Sequence, residues 1–162
     1  MELLKKVIHI LSSIIYILVF AYGIVWLPSI FGYKPLIVLS KSMEPTYKEG
    51  TVIYYHQVPK DEIKIGDIIT FKGNKNELIS HRVKSMENDL FITKGDANEV
   101  NDANKVKYED IYGKNIDIMI IYIGYFIKFV NNHGYLIILA CIILVMDFLL
   151  SNYKKKEDQN EK

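Results

Sequence analysis

The chain has 162 residues, half of them hydrophobic, which is enough for one modest domain. Its formal net charge of +1 leaves no basic excess of the kind that nucleic-acid binding demands. A single cysteine, Cys141, excludes a disulfide framework and a cysteine-based zinc site, and a histidine base must be His9, His56, His81 or His133.

Apolar residues gather at the two ends and leave a charged middle, the layout of a membrane protein with a soluble insert. Residues 1–6 are short and end in the pair Lys5-Lys6. From Val7 to Tyr33 there is no Asp, Glu, Lys or Arg, and a membrane helix needs about 20 apolar residues. A cleaved signal peptide has a shorter apolar run and a small-x-small site, which Trp26-Leu27-Pro28-Ser29-Ile30-Phe31 does not offer. A water-soluble core helix would show a polar face, and here only His9, Ser12 and Ser13 are polar near the start. The expectation is an uncleaved anchor over 7–33. Lys5 and Lys6 keep the first residues cytoplasmic and put the insert outside.

Residues 34–116 read as that insert, in short strands. Leu36–Leu39 is branched and apolar. Thr51–Tyr55 follows Lys48-Glu49-Gly50, Ile68–Phe71 follows Gly66-Asp67, Leu78-Ile79 leads into His81-Arg82-Val83, and Leu90–Thr93 ends at Gly95-Asp96. Strands at this spacing, with Gly, Asn and Asp between them, predict a mainly β domain of antiparallel strands. Tyr108–Gly113 reads as a short turn or helical piece. Residues 117–134 form a membrane-proximal segment, with Ile116–Val130 as a last strand that grazes the bilayer. Tyr135–Leu150 is apolar except for Asp147. A second transmembrane helix is therefore expected over 135–151, and an interfacial hairpin is the alternative. The basic triplet Lys154–Lys156 opens a cytoplasmic, solvated tail over 152–162.

The chemistry begins at Leu39-Ser40-Lys41-Ser42-Met43-Glu44-Pro45-Thr46. In an extended stretch, residues two apart share a side, so one serine can attack a carbonyl while the other donates to the oxygen that becomes negative. A serine hydroxyl needs a base. His81 lies on a strand of the insert, His9 and His133 fall in or beside the apolar ends, and His56 reads as a surface loop residue. A carboxylate that fixes the imidazole comes from the loop Lys94–Asp102, which carries Asp96 and Asp102. Each feature alone has a plainer reading: a loop serine pair, a structural histidine, a Gly-Asp-Asn turn.

Taken in order, Ser40-Lys41-Ser42-Met43-Glu44-Pro45, Gly66-Asp67-Ile68-Ile69-Thr70-Phe71, His81-Arg82-Val83 and Thr93-Lys94-Gly95-Asp96-Ala97-Asn98 resemble the successive boxes of type I signal peptidases. The likeness is to the serine–histidine branch typical of the endoplasmic reticulum and archaea. It covers about 36–116. It implies Ser42 as nucleophile, His81 as base, Asp102 as third member, and Asp96 as either that member or a support for the site. It also implies an oxyanion hole from the Ser40 hydroxyl and the Ser42 N–H. The implied fold is a β-rich domain of coiled antiparallel sheets, and the implied substrates are secretory preproteins cut after a small-x-small sequence. The implied surroundings are the lipid bilayer; no metal, nucleotide or nucleic acid is implied, and partner subunits stay open. One departure is Lys41, where the family most often has Gly. If that glycine serves a special backbone shape, Lys41 is strained or the turn differs. Lys41 or Lys84 as base, a self-cleaving repressor peptidase, and a non-catalytic membrane-held β module are the competing readings.

Overall fold

The computed structural model describes residues 2–160, with side chains as far as Tyr153. The side chains of the expected basic triplet Lys154–Lys156, and the last two residues of the tail, lie outside the described residues. The chain divides into two compact units. One is made of the stretches up to Val25 and from Ile127 onward, and the other is Trp26–Phe126.

The first unit is helical. Helix α1 runs Glu2–Trp26; the 3-10 turn over Leu27–Phe31 that follows already belongs to the second unit and ends at Gly32, whose φ of 86° closes it. Helix α2 covers Ile123–Asn132 and α3 covers Tyr135–Asn160. Two stretches, Glu2–Phe31 and Tyr135–Tyr153, are long and apolar enough to cross a membrane. Within this unit Ser12 is fully buried, and its hydroxyl donates to Asp147 Oδ2 at 2.8 Å. His9 Nδ1 stands 3.4 Å from Asp147 Oδ1. The one carboxylate in the apolar part of α3 is thus held by two polar groups of α1, as a charge in an apolar setting requires. α3 remains helical as far as Asn160, so the expected solvated tail continues the helix there.

The second unit is mainly β, as expected. Strands β1 (Lys34–Ile37), β2 (Val52–His56), β3 (Ile68–Lys72), β4 (Leu78–Glu87), β5 (Leu90–Lys94) and β6 (Ile111–Ile120) form one six-stranded sheet in the order β1-β2-β6-β3-β4-β5. Every pairing is antiparallel. Asn88 and Asp89 both have positive φ, 49° and 66°, the geometry of the two-residue turn that suits a right-twisted β4–β5 hairpin. Strand β3 is buried on both faces. Ile69 and Phe71 join Val58, Ile63, Val83, Phe91 and Val106 in one apolar cluster. Ile68 joins Val38, Met43, Tyr47 and Ile53 in another.

Three expectations are corrected. Strand β6 begins at Ile111 and runs to Ile120, five residues before the last strand expected from Ile116. Its inward positions at the start are Gly113 and Asn115, so no apolar alternation announces it. A Cβ on Gly113 would lie 2.2 Å from the His56 carbonyl, so close approach to β2 explains the glycine. The stretch after Ile120 is helix α2, with Ile123, Phe126, Ile127 and Val130 at helical spacing. His56 is the last residue of β2, with its ring edge-on to Tyr33 at 5.0 Å, and does not sit in a loop.

Candidate active site

The segment expected to be extended is a turn. Glu44 N–H donates to Lys41 O at 3.0 Å and Tyr47 N–H to Met43 O at 2.9 Å. Met43 and Tyr47 are both buried in the cluster with Ile53 and Ile68. These two side chains anchor the turn against the sheet, and burying each contributes about 1.5–3 kcal/mol. Burial first, and the Asp117 carboxylate second, push the Tyr47 phenol up to about 12, so it stays neutral in its apolar seat. Ser42 is left at the turn's edge. Its hydroxyl lies 3.2 Å from that of Ser40, although the backbone between them is not a strand. Among the described residues no backbone acceptor takes the Ser42 N–H.

His81 projects from β4 beside Phe71, with ring centroids 6.3 Å apart and edge-on. Its Nε2 is 3.0 Å from Ser42 Oγ, and its Nδ1 is 2.7 Å from Asp102 Oδ2. An ionised carboxylate can only accept, so Nδ1 carries the hydrogen and a neutral ring offers Nε2 as acceptor to the Ser42 hydroxyl. Asp102 lies in an irregular stretch. Its Oδ2 also receives the Thr93 hydroxyl at 2.6 Å, and its N–H donates to Thr93 O at 2.8 Å. Burial works to raise the Asp102 carboxyl, but the hydrogen bonds from His81 and Thr93 outweigh it and hold it below the usual carboxylate range.

Asp96 stands elsewhere. Arg82 binds it in a fork, Nε to Oδ1 at 2.8 Å and Nη2 to Oδ2 at 2.6 Å. Thr46 Oγ1 donates to Oδ2 at 2.6 Å, and Arg82 Nη1 reaches Gly66 O at 2.7 Å. The Arg82 hydrogen bond holds the Asp96 carboxyl low. The result is a strut from the serine turn through Asp96 to β4, next to His81. Lys41 and Lys84 are both exposed. Lys41 is not among the residues with positive φ, so the strain expected of a side chain at this position is absent.

Gly95, Ala97 and Thr93 all lie in the box Thr93–Asn98, but the sequence reading gave none of them a role. Gly95 packs on the site: a Cβ there would lie 2.5 Å from Ser42 O and 3.0 Å from His81 Nε2. Ala97 N–H holds Ser42 O at 2.8 Å. Thr93 is fully buried on the face of β5 that also carries Phe91, and a polar residue in an apolar position was its one available signal. Strand β5 pairs with β4 only from Arg82 to Glu87. Among the described residues, the Leu78–His81 part of β4 has β3 alone as strand neighbour. No group of three or more His, Cys, Asp or Glu among the described residues is placed to hold a metal ion.

Comparison with known proteins decides the family. The model of the family "Signal peptidase, peptidase S26" matches residues 11–115. This chain belongs to that family. Signal peptidase I W of Bacillus subtilis (strain 168) is 33% identical over 119 residues, covering 63% of this chain and 63% of the relative. The human signal peptidase complex catalytic subunit SEC11C is 40% identical over 78 residues, covering 44% of this chain and 41% of the relative. The SEC11 catalytic subunit of Scheffersomyces stipitis is 36% identical over 87 residues, covering 48% and 52%. The chain thus spans between 41% and 63% of the length of these signal peptidase relatives.

Proposed function

We propose that this signal peptidase family member is a membrane-anchored serine endopeptidase that removes signal peptides from secretory preproteins. The observation that carries the reading is the hydrogen-bonded chain from Ser42 through His81 to Asp102. Ser42 Oγ attacks the scissile carbonyl carbon as its proton passes to His81 Nε2. Asp102 stabilises the imidazolium through Nδ1. The Ser42 N–H and the Ser40 hydroxyl receive the developing oxyanion. Collapse breaks the C–N bond, and His81 returns the proton to the leaving amine. His81 then takes a proton from water, which hydrolyses the acyl ester and restores Ser42. Asp96 supports the site through Arg82 and Thr46 without touching the imidazole. The one-sided stretch of β4 before Arg82 suits an extended substrate segment, which pairs its backbone there.

In this reading the apolar parts of α1 and α3 cross the bilayer, residues 1–6 and 152–162 lie in the cytoplasm, and the β unit works on the outer face. The test is cleavage of a preprotein by purified protein in detergent. Ser42→Ala and His81→Ala each lower the rate by about four decades or more. Full activity in either variant overturns the assignment.

A further inference from the structure

We propose that Thr93 is the positioning residue that holds the Asp102 carboxylate against His81; its effect on rate rests on the peptidase reading above, while its effect on the imidazole does not. Asp102 belongs to no strand or helix. Secondary structure therefore leaves its side chain undirected, and a carboxylate with one histidine donor can turn about its own torsions. Thr93 removes that freedom. It sits on β5, paired with Val83 of β4, two residues from His81. Its hydroxyl reaches the same Oδ2 that takes His81 Nδ1, at 2.6 Å against 2.7 Å. Its carbonyl accepts the Asp102 N–H at 2.8 Å. The aspartate is thus clamped at both backbone and side chain by one strand residue. Thr93 is itself fully buried, so water does not compete for its hydroxyl. A β-branched side chain has few torsional choices, which fixes the direction of that donor.

Two donors share Oδ2. Without the hydroxyl, His81 is the sole side-chain donor to the carboxylate. The carboxylate is then free to turn, and its hold on the His81 Nδ1–H loosens. Valine keeps the threonine shape and loses the donor; serine keeps the donor and loses the methyl group.

The experiment uses the full chain in detergent micelles with isotopically labelled histidine. Only four ring signals arise, and His81→Gln identifies the one of interest. In Thr93→Val the His81 Nδ1–H resonance moves upfield and broadens as its bond to Asp102 loosens, and kcat for preprotein cleavage falls roughly ten- to a hundredfold. Thr93→Ser stays near the parent in both. The positioning role fails if Thr93→Val matches the parent in both resonance and rate, or if Thr93→Ser is as impaired as Thr93→Val. A folded parent that cleaves no preprotein would sink the peptidase reading instead, and the His81 Nδ1–H resonance in the two Thr93 variants would still decide the role of Thr93.

Discussion

Gly95 matters for what it lacks. Its backbone is not in the left-handed region, so alanine is conformationally acceptable there. The obstacle is space: the added carbon would come within 2.5 Å of Ser42 O and 3.0 Å of His81 Nε2. Ser42 O belongs to backbone pinned by Ala97 N–H, so the imidazole gives way first, and the hydrogen bond to Ser42 Oγ lengthens. Gly95→Ala should lower kcat by about a hundredfold while the thermal midpoint in detergent falls by only a few degrees. An alanine variant that cleaves at the parental rate would show that the loop can step back. Sequence and structure meet unevenly at this scale. Ser40, Ser42, His81 and the pair Asp96 and Asp102 stood out because a candidate nucleophile, base and acid need particular side chains, and the family resemblance put Asp102 ahead of Asp96. Gly95 and Thr93 lay inside the box Thr93–Asn98 without a role of their own, because crowding and hydrogen bonds to a neighbouring site residue leave no mark in a single sequence.

Among the elements, the serine turn and β4 are joined by the Thr46–Asp96–Arg82 strut, which separates the two aspartates by task. Asp96→Asn loses the forked ion pair and should cost about 1.5–3 kcal/mol of stability, with a smaller effect on kcat. Asp102→Asn touches the imidazole and should lower kcat by roughly three to four decades, with a smaller effect on stability. The pH dependence follows from the same contacts. Hydrogen bonding from Arg82 holds the folded Asp96 carboxyl below its unfolded value. The unfolded chain therefore binds the proton at higher pH, and stability rises with pH across that interval. The contribution is complete above the usual carboxylate value, about 4, and is lost as pH falls through the lower folded value. Thermal midpoints from pH 7 to pH 3 should drop more steeply for the parent than for Asp96→Asn. Parallel curves would remove Asp96 from the acid response, leaving Asp102, which is also held low. Sequence patterns located β2 to β5 because their inward faces are apolar. They missed the start of β6, where Gly113 and Asn115 face inward, and they weighed the serine stretch in an extended form, whereas it is a turn. Its shape comes from burial of Met43 and Tyr47, a tertiary effect that local propensity does not contain.

For the whole molecule, the proposed function carries a topology that can be tested: Ser42 on the outer face of the bilayer and residues 1–6 on the inner one. Both long apolar helices satisfy the length for a span. If both span, as proposed, the last segment returns to the side of the first, and the positive-inside rule with Lys5 and Lys6 makes that side the cytoplasm. The single native cysteine makes this directly measurable. In a Cys141→Ser background, Asn74→Cys places a thiol in the exposed β3–β4 turn, and Glu2→Cys places one before the first span. A membrane-impermeant maleimide added to intact cells should label Asn74→Cys and leave Glu2→Cys unmodified until the membrane is opened. The reverse pattern would put Ser42 in the cytosol, where translocated preproteins do not present their cleavage sites. Labelling of both from outside would mean that one helix does not span.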